Sequence, residues 1–513
     1  MLLDARNPQE VPENITGETV IIGAGTVGLL LAVCLVKANK PVLLVEAGGR
    51  VADTSHNGET AESLGKRHSG ASTSRAAGLG GTSVLWGGQL AEFEDVDFDR
   101  EGSEWPLSYG DLRQWYERIY DLLGVARGLP VERYRQMFGG EADVNPDVER
   151  FFTFWLPRPN FATLFRREIV SSPLMRVVLN AAVNDIAFAG HRAEAVSARA
   201  PGGRQIRVAG TDFVFAGGTI ANNRFFLNAQ RRPAVPWTSN VHIGTRFQDH
   251  LGGKIADVEL TDERRFRAYF ENGFTNRIKL QPKLRLARKA RAGTVSGACG
   301  LFAFNSDVGE HLANIKQLVR SVKSGAGFSK LRTLPRDILT LNRAFAPFVA
   351  RYIRERRVLA FLDRGVEFHV QAEQLPVAES RIRLIEGATS PDGLLRVAVD
   401  WRIDGREMDA IRKIAAGTDS YLQARGLARL RLDPMLRQDG LIERFNDTGH
   451  PCGGLRMAAT SRDGVTDPEC RVWDTANVYV AGAAVFPTSS HANCTLTALA
   501  LSARLAHRLA GRA

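Results

Sequence analysis

The sequence has little cysteine, and its cysteines do not form a framework. The 513 residues include five, at positions 34, 299, 452, 470 and 494. Their odd number and irregular spacing exclude a disulfide scaffold and favour a reducing compartment. A Cys-x-x-Cys-His haem-attachment motif and zinc-type Cys/His spacing are both absent, so we expect no metal site.

Long apolar runs are also missing. The most apolar stretch, residues 29–36, is far shorter than the roughly 20 residues that span a bilayer. The first six residues lack the charged-then-apolar order of a secretory signal. A composition of 44% hydrophobic and 24% charged residues, without repeats, is typical of folded proteins. We therefore expect a cytoplasmic protein that is long enough for two subdomains.

Acidic residues are in the minority, and the imbalance is local. The formal net charge is +11, and residues 312–357 contain eleven basic residues against two acidic ones. A local excess of this kind does not indicate a nucleic-acid binder, so we expect no nucleic-acid partner. A solvated insertion, a contact with a membrane surface or an acidic partner, and binding of an anionic substrate all remain open for this segment.

The first strong motif follows an apolar, β-branched run. Gly23, Gly25 and Gly28 form a G-x-G-x-x-G pattern before a helix-forming stretch, and a second apolar strand then ends in Glu46. Gly23 permits a tight turn, Gly25 lets the backbone approach a pyrophosphate, and Gly28 lets the helix pack closely on the strand. The helix N-terminus can stabilise the phosphate charge, and Glu46 can bind ribose hydroxyls. The residues predicted to contact a dinucleotide here are Gly23, Gly25, Thr26, Gly28, Glu46 and Ala47.

A second glycine-rich run occupies residues 78–88. Placed after a dinucleotide-binding fold, it resembles the glucose–methanol–choline (GMC) family of FAD oxidoreductases. In that family the loop passes the flavin ring and the pyrophosphate. The resemblance therefore implies cofactor contacts from Gly80, Gly81, Thr82, Ser83, Gly87 and Gly88. Some members carry a flavin-linked histidine two residues after the serine; Leu85 stands there in this chain, which implies non-covalent FAD. We interpret His56 and His68, outside that register, as solvated loop histidines.

Two runs near the C-terminus resemble the catalytic loops of the family. Residues 450–457 resemble its His-x-x-Gly-Thr-x-Arg-Met run with Gly454 in place of threonine, and Asn493 precedes a Thr-x-Thr run. The resemblance implies that His450 accepts the substrate proton with Asn493 as its partner. Neutral imidazole can take a hydroxyl proton, and an amide can hold the substrate oxygen. His491 is the rival base, and His491 and Cys452 are candidate substrate contacts.

Small residues at strand ends complete the expected cofactor site. Ala216 ends a strand that should face the nucleotide. By resemblance, Gly482 and Ala483 lie against the flavin's diphosphate or ribityl chain, and Asn493 and Thr495 also contact FAD. The helix that begins at Thr495 can point its positive end at the flavin. An Asp-His run that ends at His250 also resembles the family, and we interpret His250 as structural.

These patterns predict an α/β fold: a doubly wound, Rossmann-like FAD-binding domain with a discontinuous substrate domain built on an antiparallel sheet with helices. Ser108 should cap a helix that runs to residue 123, and Gly202 and Gly203 should turn a hairpin. The expected segments are 18–124, 205–252 and 443–513 for the FAD-binding domain, and 125–204 and 253–442 for the substrate domain.

The resemblance implies FAD-dependent oxidation of an alcohol to a carbonyl, with His450 as base and hydride transfer to flavin N5. The form of residues 80–88 resembles the sugar or glycoside oxidoreductases of the family, so we expect a carbohydrate substrate. A sterol or aliphatic alcohol oxidase, a non-redox FAD-containing lyase and a non-enzymatic FAD-binding scaffold remain open. Oxygen, a quinone or a redox protein would reoxidise the flavin.

Overall fold

The computed structural model describes residues 1–100, 102–125, 136–139, 145–275, 278–306 and 363–511, together with 351, 353, 356, 357 and 360. Most of the basic segment 312–357 therefore lies outside the described residues, as do the roles expected for it. Within the described part of the chain, every helix is too short or too polar to cross a membrane.

The first sheet is mostly parallel and forms the centre of the nucleotide-binding half. Its strands, in spatial order, are β1 (Leu2–Asp4), β7 (Met175–Leu179), β3 (Val42–Val45), β2 (Asn14–Ile22), β10 (Gln205–Phe215), β9 (Arg192–Arg199) and β8 (Ala182–Ala189), and β20 (Val478–Val480) pairs with the far end of β10. The four residues of β3 are all buried, as expected for a central strand covered on both faces. The carboxyl ends of β2, β3, β10 and β20 meet at one edge, where doubly wound sheets bind ligands.

Helices cover this sheet and connect it to the rest of the chain. In chain order the α-helices are α1 (Thr26–Lys37), α2 (Asn57–Thr60), α3 (Ser69–Ser72), α4 (Asp95–Asp99), α5 (Tyr109–Leu123), α6 (Phe161–Leu164), α7 (Arg166–Ser171), α8 (Thr219–Gln230), α9 (Glu263–Phe270), α10 (Arg288–Ala292), α11 (Met408–Ala424) and α12 (Thr495–Ala510). Helix α1 is buried from Gly28 to Leu35 because it packs against α12 and β3. The predicted cap of α5 is confirmed: Ser108 and Asp111 form a capping box.

The second sheet is antiparallel, as predicted for the substrate-binding half. Its strands, in spatial order, are β18 (Ala428–Leu432), β11 (Leu251–Leu260), β15 (Val366–Ala372), β14 (Ala298–Phe304), β13 (Ile278–Leu286), β6 (Val148–Trp155) and β5 (Gln89–Leu90), with β12 (Gly273–Thr275) on β13 and β19 (Asn446–Asp447) on β11. Helix α11 packs on one face of it. Residues i and i+2 of a strand share a face, so Thr153, Gln281 and Gln371 line the other one.

The predicted segment 125–204 is divided between the two sheets. Only β6 joins the second sheet, whereas β7, β8 and β9 belong to the first. The reason is the hairpin at Gly202 and Gly203, which has positive φ at both glycines and pairs β9 with β10, so β9 cannot leave the sheet that contains β10. A further departure is a small third sheet of β4 (Ala61–Gly65), β16 (Arg381–Thr389) and β17 (Leu395–Trp401), which connects the segments 18–124 and 253–442.

Candidate active site

The glycines that follow β2 are packed as the motif requires. Gly23 has φ +108°, and a Cβ there would lie 2.8 Å from the Ala216 carbonyl oxygen. A Cβ on Gly28 would collide with the Gly23 carbonyl oxygen. The turn at Gly23 and helix α1 can therefore pack this closely only because both positions are glycine. A Cβ on Gly25 would meet nothing closer than the Gly81 Cα, at 3.8 Å. The backbone is therefore open beside Gly25, at the start of α1.

The second glycine-rich loop closes against the first. The Gly80 N–H donates to the Ala24 carbonyl at 2.9 Å, and a Cβ on Gly81 would lie 2.7 Å from the Gly25 Cα. Ser83 donates to the Gly80 carbonyl at 2.5 Å and accepts from the Phe161 N–H at 3.0 Å, so it fixes the loop to α6. The Thr82 hydroxyl accepts from the Ala76 N–H at 3.3 Å.

Gly87 and Gly88, predicted to contact the cofactor, pack against protein. A Cβ on Gly87 would collide with the Trp155 ring, and one on Gly88 would lie 2.8 Å from the Pro159 Cβ. This packing alone requires glycine at both positions, and their cofactor contact stays a prediction.

Glu46 holds three chain segments together at the end of β3. It is buried, and its carboxylate accepts from the backbone N–H groups of Ala24 (2.7 Å), Gly48 (2.9 Å) and Gly78 (2.8 Å). Burial raises the pKa of Glu46, and these three donors oppose that rise. The carboxylate thus shapes both glycine loops, whereas its contact with ribose stays a prediction; Ala47 beside it is exposed.

The geometry fits a dinucleotide such as FAD. The N-cap of α1, Gly25, makes no side-chain cap, and the first turn contains no acidic residue, so its N–H groups are available to a phosphate. Helix α12 likewise begins at Thr495 without a side-chain cap or an acid in its first turn. Gly482, at the end of β20, has φ +111° and only the Val27 side chain near a Cβ position, at 3.7 Å. Ala216 directly follows β10 at the same edge, and the Ala483 carbonyl there accepts from the Gly453 N–H. Together these groups form an open, anion-attracting edge.

Gly25→Ala should separate folding from cofactor binding. Its φ of −81° suits alanine, so the variant should fold, but the methyl group would enter the space at the start of α1. Overpacking of this kind costs ~1–3 kcal/mol, so FAD affinity should fall roughly tenfold to a hundredfold. Titrating the apoprotein with FAD while following flavin fluorescence measures this. Exposed Gly58, with no atom within 4 Å of its Cβ position, is the matched control for alanine substitution. Unchanged FAD affinity in a folded Gly25→Ala variant would contradict the assignment.

His450 is held by one ring nitrogen. Its Nδ1 lies 2.7 Å from the Thr448 hydroxyl and 3.3 Å from His250 Nδ1. If Nδ1 carries the proton and donates to Thr448, Nε2 keeps its lone pair for another partner. Burial, followed by the charge of His250, lowers the pKa of His450 to about 3, so the imidazole is neutral at physiological pH.

Asp249 organises the loop that carries His450, which the sequence analysis did not anticipate. One oxygen of this fully buried carboxylate accepts from the N–H groups of His250 (2.7 Å), His450 (3.0 Å) and Thr448 (3.2 Å). The other lies 3.1 Å from His68 Nε2. Burial raises the pKa of Asp249, but the His68 hydrogen bond and nearby imidazoles outweigh it and hold the pKa below its ordinary value.

The interpretation of His68 as a solvated loop histidine is wrong. His68 is fully buried between the rings of Phe247 and Trp401, with Nε2 on Asp249. Its contact with Asp249 joins positions 181 residues apart, which local sequence does not reveal. His56 remains exposed, as predicted. His250 is buried with Nε2 3.2 Å from the Ser489 carbonyl, which suits a structural role, although its ring also contacts His450.

Asn493 is positioned from the second sheet. Its Oδ1 lies 3.2 Å from Gln371 Nε2, which also donates to the His491 carbonyl at 2.8 Å. Because Gln371 fixes Oδ1, the amide NH2 is oriented away from it as a donor. Gln371 is a second residue that the sequence analysis missed, since nothing local marks a glutamine in β15.

His491 and Cys452 lie beside this pair. His491 is buried with Nδ1 unpartnered among the described residues, and its ring meets Phe151 edge-on at 5.9 Å. Burial and the charge of Arg291 hold the pKa of His491 well below its usual range. The buried Cys452 thiol donates to the Gln248 carbonyl at 3.7 Å, and the Cys494 sulfur lies 4.0 Å from the His450 carbonyl, so Cys494 joins the loop of Asn493 to that of His450. Substrate contacts from His491 and Cys452 stay predictions.

Comparisons with known proteins agree with this geometry. A family model for FAD dependent oxidoreductases matches residues 18–298, and one for GMC oxidoreductases matches residues 376–502. No curated protein matches the sequence.

Several solved structures share the fold. Pyridoxine 4-oxidase from Mesorbium loti is 14% identical with a TM-score of 0.60, covering 96% of this chain and 99% of that one. A formate oxidase from Aspergillus oryzae RIB40, solved to study the effect of a mutation on FAD modification, is 14% identical with a TM-score of 0.59, covering 97% and 99%. A fungal aryl-alcohol oxidase is 14% identical with a TM-score of 0.55, covering 96% and 99%. At this identity the likeness establishes the fold alone.

Proposed function

We propose that this chain, which belongs to the FAD-dependent oxidoreductases and carries a GMC oxidoreductase region, oxidises a hydroxyl group of a sugar or glycoside to a carbonyl. The match to the FAD dependent oxidoreductase model covers more than half of the chain, so FAD is its cofactor. The GMC oxidoreductase match over residues 376–502 supports an alcohol as its class of substrate. That the alcohol is a carbohydrate, and which residues act on it, is what we propose.

The observation that carries the proposal is the state of His450. A neutral imidazole whose Nδ1 is held by Thr448 presents Nε2 as a proton acceptor for a substrate hydroxyl. Asn493, fixed by Gln371, donates its amide to the same substrate oxygen and orients the carbon–hydrogen bond. When bound, FAD supplies the two-electron acceptor for the hydride.

The polar face of the second sheet supports a polyol substrate. Gln89 Nε2 donates to both Thr153 Oγ1 and Gln281 Oε1, each at 2.7 Å, and Gln371 lies on the same face. Amide and hydroxyl groups of this kind match the paired hydroxyls of a sugar better than a sterol or alkyl chain.

An anaerobic experiment tests the proposal. The purified holoprotein is mixed with sugars, glycosides, sterols and aliphatic alcohols while flavin absorbance is followed. Bleaching by sugars or glycosides is the expected result. Bleaching by aliphatic alcohols or sterols alone would overturn the carbohydrate assignment, and intact FAD that no alcohol bleaches would overturn oxidation.

We further propose that FAD is bound without a covalent link, because Leu85 provides no atom for one. Acid precipitation should therefore release the flavin into the supernatant, measured by its absorbance. Flavin retained in the washed pellet would contradict this prediction.

A further inference from the structure

Lys283 lies in the middle of β13, a strand of the second sheet. Its backbone is paired with Phe151 on β6, and its side chain is 3% exposed. Lysine is almost never buried to this degree unless it is paired. Within the described ranges, however, Lys283 forms no hydrogen bond and no ion pair.

Burying an unpaired ammonium group costs free energy, and an anionic partner beside Lys283 would reduce that cost. Two nearby carboxylates are already engaged: Glu149 on the neighbouring strand β6 and Glu94 at the start of α4 both pair with Arg285, at 2.8 and 2.9 Å. Burial lowers the pKa of Lys283, and the buried Cys299 thiol opposes this. The residues that the structure describes thus supply no counter-ion for Lys283.

The register of the sheet places Lys283 on the face that carries the active site. Its cross-strand neighbour Phe151 contacts the His491 ring. On the other side, Arg285 pairs with Cys299, and Cys299 pairs with Gln371, which holds Asn493. Alternation along β13 puts Lys283 on the same face as Arg285. The charge of Lys283 also contributes to the lowered pKa values of His450 and His491, behind burial and other cations.

We propose that Lys283 is a specificity-determining residue that binds a carboxylate or similar oxyanion carried by the alcohol substrate. The proposal rests on the proposed function and narrows the substrate to hydroxy acids, such as the acidic relatives of sugars. His450 and Asn493 act at the hydroxyl group, and Lys283 holds the anionic end.

A binding measurement tests this without turnover. Acetate, which cannot be oxidised as an alcohol, is titrated into the oxidised holoenzyme while the flavin difference spectrum is recorded. A charge-assisted hydrogen bond contributes about 1.5–3 kcal/mol, so Lys283→Met should weaken acetate binding roughly tenfold to a hundredfold. Lys279→Met is the matched control, because Lys279 lies on the same face of β13, about 13 Å away, over the Trp155 ring. It should bind acetate as the unaltered protein does.

A second measurement compares matched substrates. The rate of anaerobic flavin reduction is followed with gluconate against sorbitol and with glucuronate against glucose. The unaltered enzyme should prefer the acid of each pair at least tenfold, and in Lys283→Met and Lys283→Gln the ratio of the two rates should fall to about one.

Several outcomes would overturn the inference. These are equal acetate affinity in Lys283→Met, equal loss in Lys279→Met, or unchanged acid preference in both Lys283 variants. An altered flavin spectrum with unchanged acetate affinity would assign the ammonium to the flavin instead. If no alcohol reduces the flavin, the proposed function fails, and the acetate titration still decides whether Lys283 binds oxyanions.

Discussion

Replacing His450 by asparagine is expected to slow flavin reduction by roughly 10²–10⁴-fold, the usual contribution of a general base. Asparagine keeps a polar side chain of similar reach but cannot accept the proton. The backbone N–H of residue 450, which donates to Asp249 at 3.0 Å, is unaffected by the change. FAD content should therefore be retained, and stopped-flow absorbance under anaerobic conditions measures the loss of rate.

His491→Asn is the control that separates the two candidate bases. If only the His491 variant lost flavin reduction, the assignment of His450 would be wrong. The pH dependence is a second check. With its pKa lowered to about 3, His450 stays neutral as the pH falls through 6.5, the ordinary value for histidine. Protonation of His450 should therefore not slow flavin reduction near pH 6.5, and a drop in rate there that disappears in His450→Asn would contradict the neutral state of His450.

The glycine motifs predicted the nucleotide-binding half well because their requirements are local. Gly23 and Gly28 are forced by the backbone carbonyl groups within a few residues or on the adjacent strand. The α5 cap is equally local, since Ser108 and Asp111 are three residues apart. Where a short stretch of chain contains both partners of an interaction, the sequence is sufficient.

The errors arose where partners are distant in sequence. Strands β7 to β9 lie in the segment 125–204, which was predicted for the substrate domain. Only the pairing of β7 with β3, of β9 with β10 and of β8 with β9 assigns them to the first sheet. His68 looked like a loop histidine because its partner Asp249 comes from another segment. One signal was present in the sequence. Asp249 directly precedes His250 in a run that resembles the family, and a carboxylate in such a run is a candidate acceptor of several hydrogen bonds.

Lys283 and Gln371 illustrate a different limit. Strand alternation predicts that one face of β13 and β15 is buried, but not which polar residues on the other face meet the catalytic loops. Which polar residues meet the catalytic loops depends on how the second sheet packs against the first. The hydrogen bond from Gln371 to Asn493 is one such contact.

Asp249→Asn is expected to cost at least about 1.5–3 kcal/mol of folding stability, the usual contribution of a hydrogen bond to a charged group. Asparagine lacks the negative charge of the carboxylate. That charge faces His68 Nε2 and the three N–H groups of residues 250, 448 and 450. His450 would then lose the anchor of its loop, and a displacement of about 1 Å can cost 10²-fold in rate. Thermal unfolding and anaerobic flavin reduction measure the two effects separately.

Asp447→Asn is the matched control for this prediction. Asp447 directly precedes Thr448 and lies close to His68 and Asp249. Its side chain accepts from the Ser69 N–H at 2.8 Å and makes no hydrogen bond to residues 448–457 among the described residues. We expect it to lower stability without a comparable loss of flavin reduction in the folded protein. If both variants lost activity in proportion to stability, Asp249 would be a structural residue only. If Asp249→Asn lost rate at temperatures where it is fully folded and FAD-loaded, and Asp447→Asn did not, the carboxylate would position the base. The carboxylate can position the base because one of its oxygens accepts from the backbone N–H groups of both His250 and His450. The two imidazoles, whose Nδ1 atoms lie in contact, are thus placed by a single charge.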